Sequence, residues 1–350
     1  MREDILRLCD RLERAHALEE GEYRQLIDAY TPEIAAYLAK RADRARRAVY
    51  GNHVYIRGLI EISNICKNDC LYCGIRRSNA RCDRYRLEPG EILSACREGY
   101  ALGFRTFVLQ GGEDPYFTDE VVCDLVSRIK VSCPGCAVTL SLGERSEESY
   151  ARLRAAGADR YLLRHETADR AHYGMLHPKE MSYDNRMRCL HTLRELGYQT
   201  GCGFMVGSPG QTSAHLAKDL KFIETFRPQM CGIGPFIPHA DTPFALEKAG
   251  SADLTCYLLS IIRLIHPRIL LPATTALATV GGDGRERGIR AGANVVMPNL
   301  SPASVRKKYA LYNGKKTDGD ESAQQVAHMK RKMAAIGYEV MTDAGHYKAV

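Results

Sequence analysis

A chain of 350 residues, 45% hydrophobic and 26% charged, carries enough apolar material for a sizeable core: one large α/β barrel or two ordinary domains. Its net charge of +7 is modest for the length, and the basic clusters at Arg41–Arg47 and Arg306–Lys308 lack aromatic interleaving, so no nucleic-acid partner is expected. No apolar run approaches a membrane span and the start Met1-Arg2-Glu3-Asp4 does not read as a signal peptide. Thirteen cysteines then point to a reducing, cytoplasmic setting, where thiols are ligands or small core residues.

In chain order, Ile5, Leu8, Cys9 and Leu12 recur at helical spacing over residues 3–15, and a second helix is predicted over 20–29. Thr31-Pro32-Glu33 supplies an N-cap, a proline at the first helical position and an early carboxylate, opening a helix to about Val49. This helical extension, residues 1–50, is expected to close the bottom of a barrel formed by residues 51–350. Strands are expected at Val54–Ile62, Thr106–Gln110, Ala137–Leu142, Arg160–Arg164, Thr200–Val206, Met230–Gly234, Ile269–Ala273 and Asn294–Met297. Amphipathic helices lie between them, several ending in a glycine stop at Gly103, Gly157, Gly197 or Gly292. Such alternation means a parallel sheet, and eight units would make a complete (β/α)8 TIM barrel. The polar stretch Asn313–Gln325 reads as a surface loop before a C-terminal helix.

Chemistry in such a barrel sits at the C-terminal ends of the strands. After the first expected strand come Cys66, Cys70 and Cys73 at spacing C-x3-C-x2-C. Three close thiolates suit an Fe–S cluster with one open iron, whereas structural zinc normally wants four ligands. The alternatives are a zinc knuckle or incidental buried thiols. With Tyr72 directly before the third cysteine, the motif resembles the signature of the radical S-adenosylmethionine (SAM) superfamily. The resemblance implies one 4Fe–4S cluster that chelates SAM and cleaves it reductively to methionine and a 5′-deoxyadenosyl radical.

The other strand ends carry comparably unusual residues. Gln110-Gly111-Gly112-Glu113 resembles the superfamily's GGE motif, which receives the SAM amino group. Ser141 ends the third strand, and Arg164-His165-Glu166 ends the fourth, where buried charges need partners or ligands. Glu166 suits a ribose or the SAM ammonium, Arg164 suits an anion inside the barrel, and His165 reads as structural. Arg186 is a candidate clamp for the SAM carboxylate, although spacing alone reads it as a helix-surface arginine. The segment around Ile233 resembles the one lining the SAM adenine, and Thr274 and Thr275 offer hydroxyls at the barrel mouth.

The segments RGLIEISNICKNDCLYCG, LQGGEDPY, VTLSLGE, ADRYLLRHET, MVGSPGQT, GIGPFIPHADTP, PATTA and GANVVMPN together resemble the HydE family of radical SAM maturases of FeFe-hydrogenase. The resemblance spans about residues 50–312. It implies a barrel with an enclosed cavity lined by Thr139, Arg160, Arg164, Met230, Thr274, Thr275 and Tyr309. It also implies a small-molecule or organometallic iron substrate and transient contact with other hydrogenase maturases. No cysteine follows Cys256, so the second cluster of some HydE proteins is not expected. Gly111 replaces a serine common in that family. Cys133-Pro134-Gly135-Cys136 precedes a strand, at the face opposite the chemistry, and reads as structural. The competing readings are a methylornithine synthase-like mutase and a non-catalytic Fe–S scaffold; the cysteines for a biotin synthase second cluster are not evident.

Overall fold

The computed structural model describes residues 2–317 and 323–349. Its strands are β1 His53–Ile56, β2 Gly58–Ser63, β3 Thr106–Gly111, β4 Ala137–Ser141, β5 Arg160–Leu162, β6 Gln199–Cys202, β7 Met205–Val206, β8 Met230–Cys231, β9 Gly234–Pro235, β10 Val295–Val296 and β11 Glu339–Met341. A six-stranded sheet runs β2-β3-β4-β5-β6-β8, beside a three-stranded sheet β10-β1-β11 and the pair β7-β9. Every strand pair is parallel. All six residues of β2 are buried, as expected for a parallel strand covered on both faces. The expected strand at Ile269–Ala273 is present only as isolated parallel bridges, Met230–Leu270 and Pro272–Val295, and a third bridge joins Leu59 to Asn299.

The helices form where local chemistry directs them. Thr31 Oγ1 accepts from the Ile34 amide at 3.3 Å with Pro32 in the first turn, and Ser146, Ser182 and Ser251 cap later helices in the same way. The four expected glycine stops all have positive φ, between 78° and 110°, which few side-chain-bearing residues tolerate. The sheet and the helices that cover it share one large apolar core.

Two features differ from expectation. The first expected strand breaks at Arg57: β1 pairs with β10 and β11, while β2 pairs with β3. The N-terminal helices Glu20–Asp28 and Pro32–Tyr50 pack on the outer helices Ser213–Phe226 and Ala252–Ile265. The N-terminal ends of the strands are covered by the C-terminal tail. Ala344 O accepts from Thr106 Oγ1 at 2.8 Å and from Arg160 Nη2 at 2.7 Å, and the Tyr347 amide donates to Gln199 Oε1 at 3.1 Å. The tail is polar, so periodicity does not reveal it. The 313–325 loop is irregular through Thr317, residues 318–322 lie outside the described residues, and the last helix is Val326–Ala335.

Candidate active site at the C-terminal ends of the strands

The cysteine loop that follows β2 is built on internal hydrogen bonds. Arg84 donates to the carbonyls of Asn64, Ile75, Arg76 and Asn79, and Asp69 accepts from Arg76 and Ser78. These bonds hold the Asp69 carboxyl well below its ordinary value, chiefly through Arg76. Asn64 ties both ends down, accepting from the Tyr85 amide at 2.8 Å and donating to Lys308 O at 2.8 Å.

This loop presents Cys66, Cys70 and Cys73 to a cavity of about 350 Å³ at the C-terminal ends of the strands. All three thiols are free of disulfides. The Glu113 amide donates to Cys66 Sγ at 3.4 Å, and Met181 Sδ lies 3.6 Å from Cys70 Sγ. Burial pushes the Cys73 thiol up to about 12, so a metal must drive its ionisation. Among the described residues no three such groups gather tightly enough for a single metal ion. A cube of iron and sulfide needs its three thiolates further apart than one ion does.

The GGE segment fits against this loop by close approach. A Cβ on Gly112 would come within 2.2 Å of Ile65 O, so only glycine fits there. Glu113 is used structurally: its Oε1 accepts from the Glu144 amide at 3.1 Å and its Oε2 lies 3.1 Å from Lys67 Nζ. Gln110, Gly111, Gly112, Glu113, Ser141 and Tyr72 all line the cavity. The Tyr72 hydroxyl lies 3.3 Å from His177 Nε2, while His177 Nδ1 lies 2.9 Å from Tyr173 O. Burial, and then Arg186, lowers His177 to about 3, which fixes it neutral; Nδ1–H donates to the carbonyl and Nε2 accepts from the phenol.

Arg164 and Glu166 face the cavity as a loosely matched pair, 3.3 Å apart. Glu166 has φ 64°, a left-handed conformation that costs a non-glycine residue of the order of 1–3 kcal/mol. Nε and Nη2 of Arg164 and Oε2 of Glu166 are buried without a hydrogen bond. His165 points away from the cavity, 3.2 Å from Asp219, and is structural as expected. Arg186 is not a surface residue: it is buried, lines the cavity, and donates from Nε to Glu144 Oε1 at 2.6 Å and from Nη1 to Arg164 O at 2.5 Å.

Thr274, Thr275 and Tyr309 line the same cavity. Four expected residues do not. Ile233 packs into the apolar core while its neighbours Gly232 and Gly234 line the cavity. Arg160, Thr139 and Met230 lie deeper, toward the N-terminal ends of the strands. Arg160 is satisfied there by Thr106, Gln199 and the tail. Near them Arg57, missed by the sequence reading, donates to Met230 Sδ at 3.0 Å, and its Nε and Nη2, like Thr139 Oγ1, are buried without a partner. Glu61 and Lys315 are further cavity residues that no sequence motif marks, and Glu144 stands behind the wall as the partner of Arg186. Cys133 and Cys136 are buried and lie outside the cavity, joined by a turn with Gly135 at φ 74°.

A family model of the Radical SAM superfamily matches residues 60–223, the span from β2 through the helix after β7. Three thiols on a cavity at the C-terminal ends of a parallel sheet, within the span that this model matches, define a radical SAM enzyme. HydE, the FeFe-hydrogenase maturase subunit of Thermotoga maritima, is 46% identical over 313 residues, 89% of each chain. The 3-methylornithine synthase of Methanosarcina acetivorans is 28% identical over 339 residues, 96% of this chain and 94% of that one. Among solved structures, methylornithine synthase (PylB) superposes with a TM-score of 0.83 at 27% identity, covering 95% of this chain and 97% of that one. HydG superposes with the same score at 19% identity, covering 98% and 77%, which bears on the fold alone. The chain belongs to the HydE family of radical SAM enzymes. Its cofactors are a 4Fe–4S cluster and SAM, which fit the three free thiols and the unpaired polar atoms of Arg164 and Glu166. Among the described residues no helix is long and apolar enough to cross a membrane.

Proposed function

We propose that this protein carries out the HydE step in maturation of the FeFe-hydrogenase diiron subcluster, acting on an organometallic or small-molecule iron substrate inside its cavity. The observation that carries the reading is the convergence of Cys66, Cys70, Cys73, Arg164, Glu166 and Arg186 on one cavity, in a chain of 46% identity to HydE. When bound, the cluster and SAM supply one-electron reductive cleavage to methionine and a 5′-deoxyadenosyl radical. The protein's part is to hold, orient and enclose. Cys66, Cys70 and Cys73 would hold three irons. Glu166, with an unpaired oxygen, would accept from a ribose hydroxyl or the SAM ammonium. Arg186, already fixed by Glu144 and Arg164 O, would offer its Nη2 to the SAM carboxylate.

Substrate recognition in this reading falls to cationic and hydroxyl groups. Arg164 has two unpaired nitrogens, and Thr274, Thr275 and Tyr309 line the same cavity. Below them Arg57 and Thr139 would be satisfied by a bound anion or an anionic ligand such as cyanide. We further read the sheet as a closed (β/α)8 barrel of residues 51–350 behind a helical extension of residues 1–50. The bridges Met230–Leu270, Pro272–Val295 and Leu59–Asn299 support closure at the points where complete ladders are absent. The other hydrogenase maturases would be transient partners, in the cytoplasm. The test is incubation of reduced, reconstituted protein with SAM. Methionine and 5′-deoxyadenosine in equal amounts support the enzyme over an Fe–S scaffold, and turnover of lysine would move the assignment to a mutase.

A further inference from the structure

After β10 the chain crosses the top of the cavity as an irregular strap, residues 307–317. The strap is seated on the cysteine loop and on the loop after β9 largely through backbone groups. Gly74 N donates to Leu311 O at 2.8 Å, Asn313 N donates to Pro238 O at 3.1 Å, and Ala240 N donates to Asn313 Oδ1 at 3.1 Å. The fit over the cysteine loop is close: a Cβ on Gly74 would lie 2.2 Å from Ala310 O. Tyr309, Leu311, Tyr312 and Lys315 of the strap line the cavity as its roof.

One buried ionic tie joins this roof to the wall. Glu61 on β2 is fully buried; its Oε2 accepts from Asn299 Nδ2 at 2.9 Å and its Oε1 accepts from Lys315 Nζ. Lys315 also donates to Tyr309 O at 2.9 Å and stands 4.8 Å from the centre of the Tyr309 ring, so it closes the strap on itself. The Tyr309 hydroxyl in turn meets Gln110 Nε2 at 3.5 Å. A buried carboxylate needs its cation, and this cation arrives from a loop 254 residues away. The pair forms only with the strap down, and lifting the strap returns both charges to water. An apolar contact would lose burial on opening without gaining hydration; an ion pair gains hydration, which suits it to reversible closure. Gly314, at φ 65° directly before Lys315, makes the turn that brings the ammonium inward.

We propose that Lys315 is a positioning residue of this enzyme: paired with Glu61, it latches residues 308–315 over the cavity and fixes Tyr309 as its roof. The proposal rests on the cavity being the reaction chamber, and its test separates the two. Hydrogen exchange is measured on reconstituted wild type, Lys315→Met, Glu61→Gln and the double variant, without SAM. Exchange across residues 308–315 should rise about tenfold in either single variant, and no further in the double variant, while β3–β5 stays unchanged. The glutamine keeps the Asn299 bond and so guards against misfolding. With the maturation system added, Lys315→Met should also release several-fold more 5′-deoxyadenosine per hydrogenase matured, which a merely structural role would not produce. Unchanged exchange in both singles, a double variant faster than either, or an unchanged ratio overturns the latch. Failure of the wild type to cleave SAM would instead overturn the reading of the cavity, with the exchange result still deciding the latch.

Discussion

The guanidinium of Arg164 stands 3.3 Å from the Glu166 carboxylate, yet Nη2 of the one and Oε2 of the other make no hydrogen bond. Two opposite charges that close would normally align, unless each is aimed at a third group. The left-handed backbone at Glu166, φ 64°, supports the same conclusion, because strain of this kind persists where surrounding structure imposes it for a purpose. In the account above the third group is SAM for Glu166 and the substrate for Arg164. Glu166→Gln should therefore weaken SAM binding by roughly 1.5–3 kcal/mol, the worth of a hydrogen bond to a charged group. Calorimetric titration of the reconstituted variant checks this, and wild-type affinity would return Glu166 to a structural role.

Arg186 adds a second prediction. Its Nε bond to Glu144 at 2.6 Å and its Nη1 bond to Arg164 O at 2.5 Å make it part of the wall as well as a candidate ligand. Arg186→Ala leaves the half-buried Glu144 carboxylate with one remaining partner, Asn185. Losing a hydrogen bond to a charged group costs about 1.5–3 kcal/mol, so this variant should lose stability as well as SAM affinity. Glu144→Gln keeps a hydrogen bond acceptor and should lose less of both. Denaturant unfolding beside SAM titration separates the two effects.

The cysteines make the third. Reconstituted wild type should bind about four irons, from the three-thiolate argument. Alanine at Cys66, Cys70 or Cys73 should abolish SAM cleavage, whereas Cys133→Ala and Cys136→Ala should leave iron content unchanged, since those two thiols lie outside the cavity. Retained cleavage by Cys70→Ala would contradict the cluster assignment.

Acid stability gives the fourth. Burial lowers both His177 and His266 to about 3, so each stays neutral in the folded protein far below the ordinary histidine value of about 6.5. Between those limits the unfolded chain binds protons that the folded chain does not. Stability is therefore fully present above pH about 6.5 and falls as pH drops toward about 3. Denaturant midpoints should decline through this window, and His266→Phe should flatten part of the decline. A slope unchanged by that substitution would show His266 protonating freely in the fold.

Much of this architecture is legible before any coordinates, because it is written in local chemistry. Thr31-Pro32, the four glycine stops and the buried run at β2 each specify their element through neighbours a few residues away. The cysteine spacing and the two glycines before Glu113 likewise carry their chemistry in short segments. What is hidden depends on distance or depth. Alternation along the expected strand Arg160–Arg164 puts both arginines on one face, yet β5 ends at Leu162 and alternation says nothing of depth, where the tail claims Arg160. The break at Arg57 arises from pairing with β10 and β11, far along the chain. Glu61 and Lys315 meet across 254 residues, and neither stands in a motif that announces the other. Ile233 reads as a cavity residue because its segment lines the cavity, but there the glycines on either side supply the lining.

The central claim is a maturase whose cavity charge serves the substrate and not SAM. It is tested most directly by hydrogenase maturation in an anaerobic system lacking HydE but holding the other maturases, supplied with wild type or Arg164→Leu at equal protein level. The account predicts that the wild type restores hydrogen evolution, while Arg164→Leu binds SAM and retains its cluster signal yet matures no hydrogenase. Full maturation by Arg164→Leu, or none by a wild type that cleaves SAM, would contradict it.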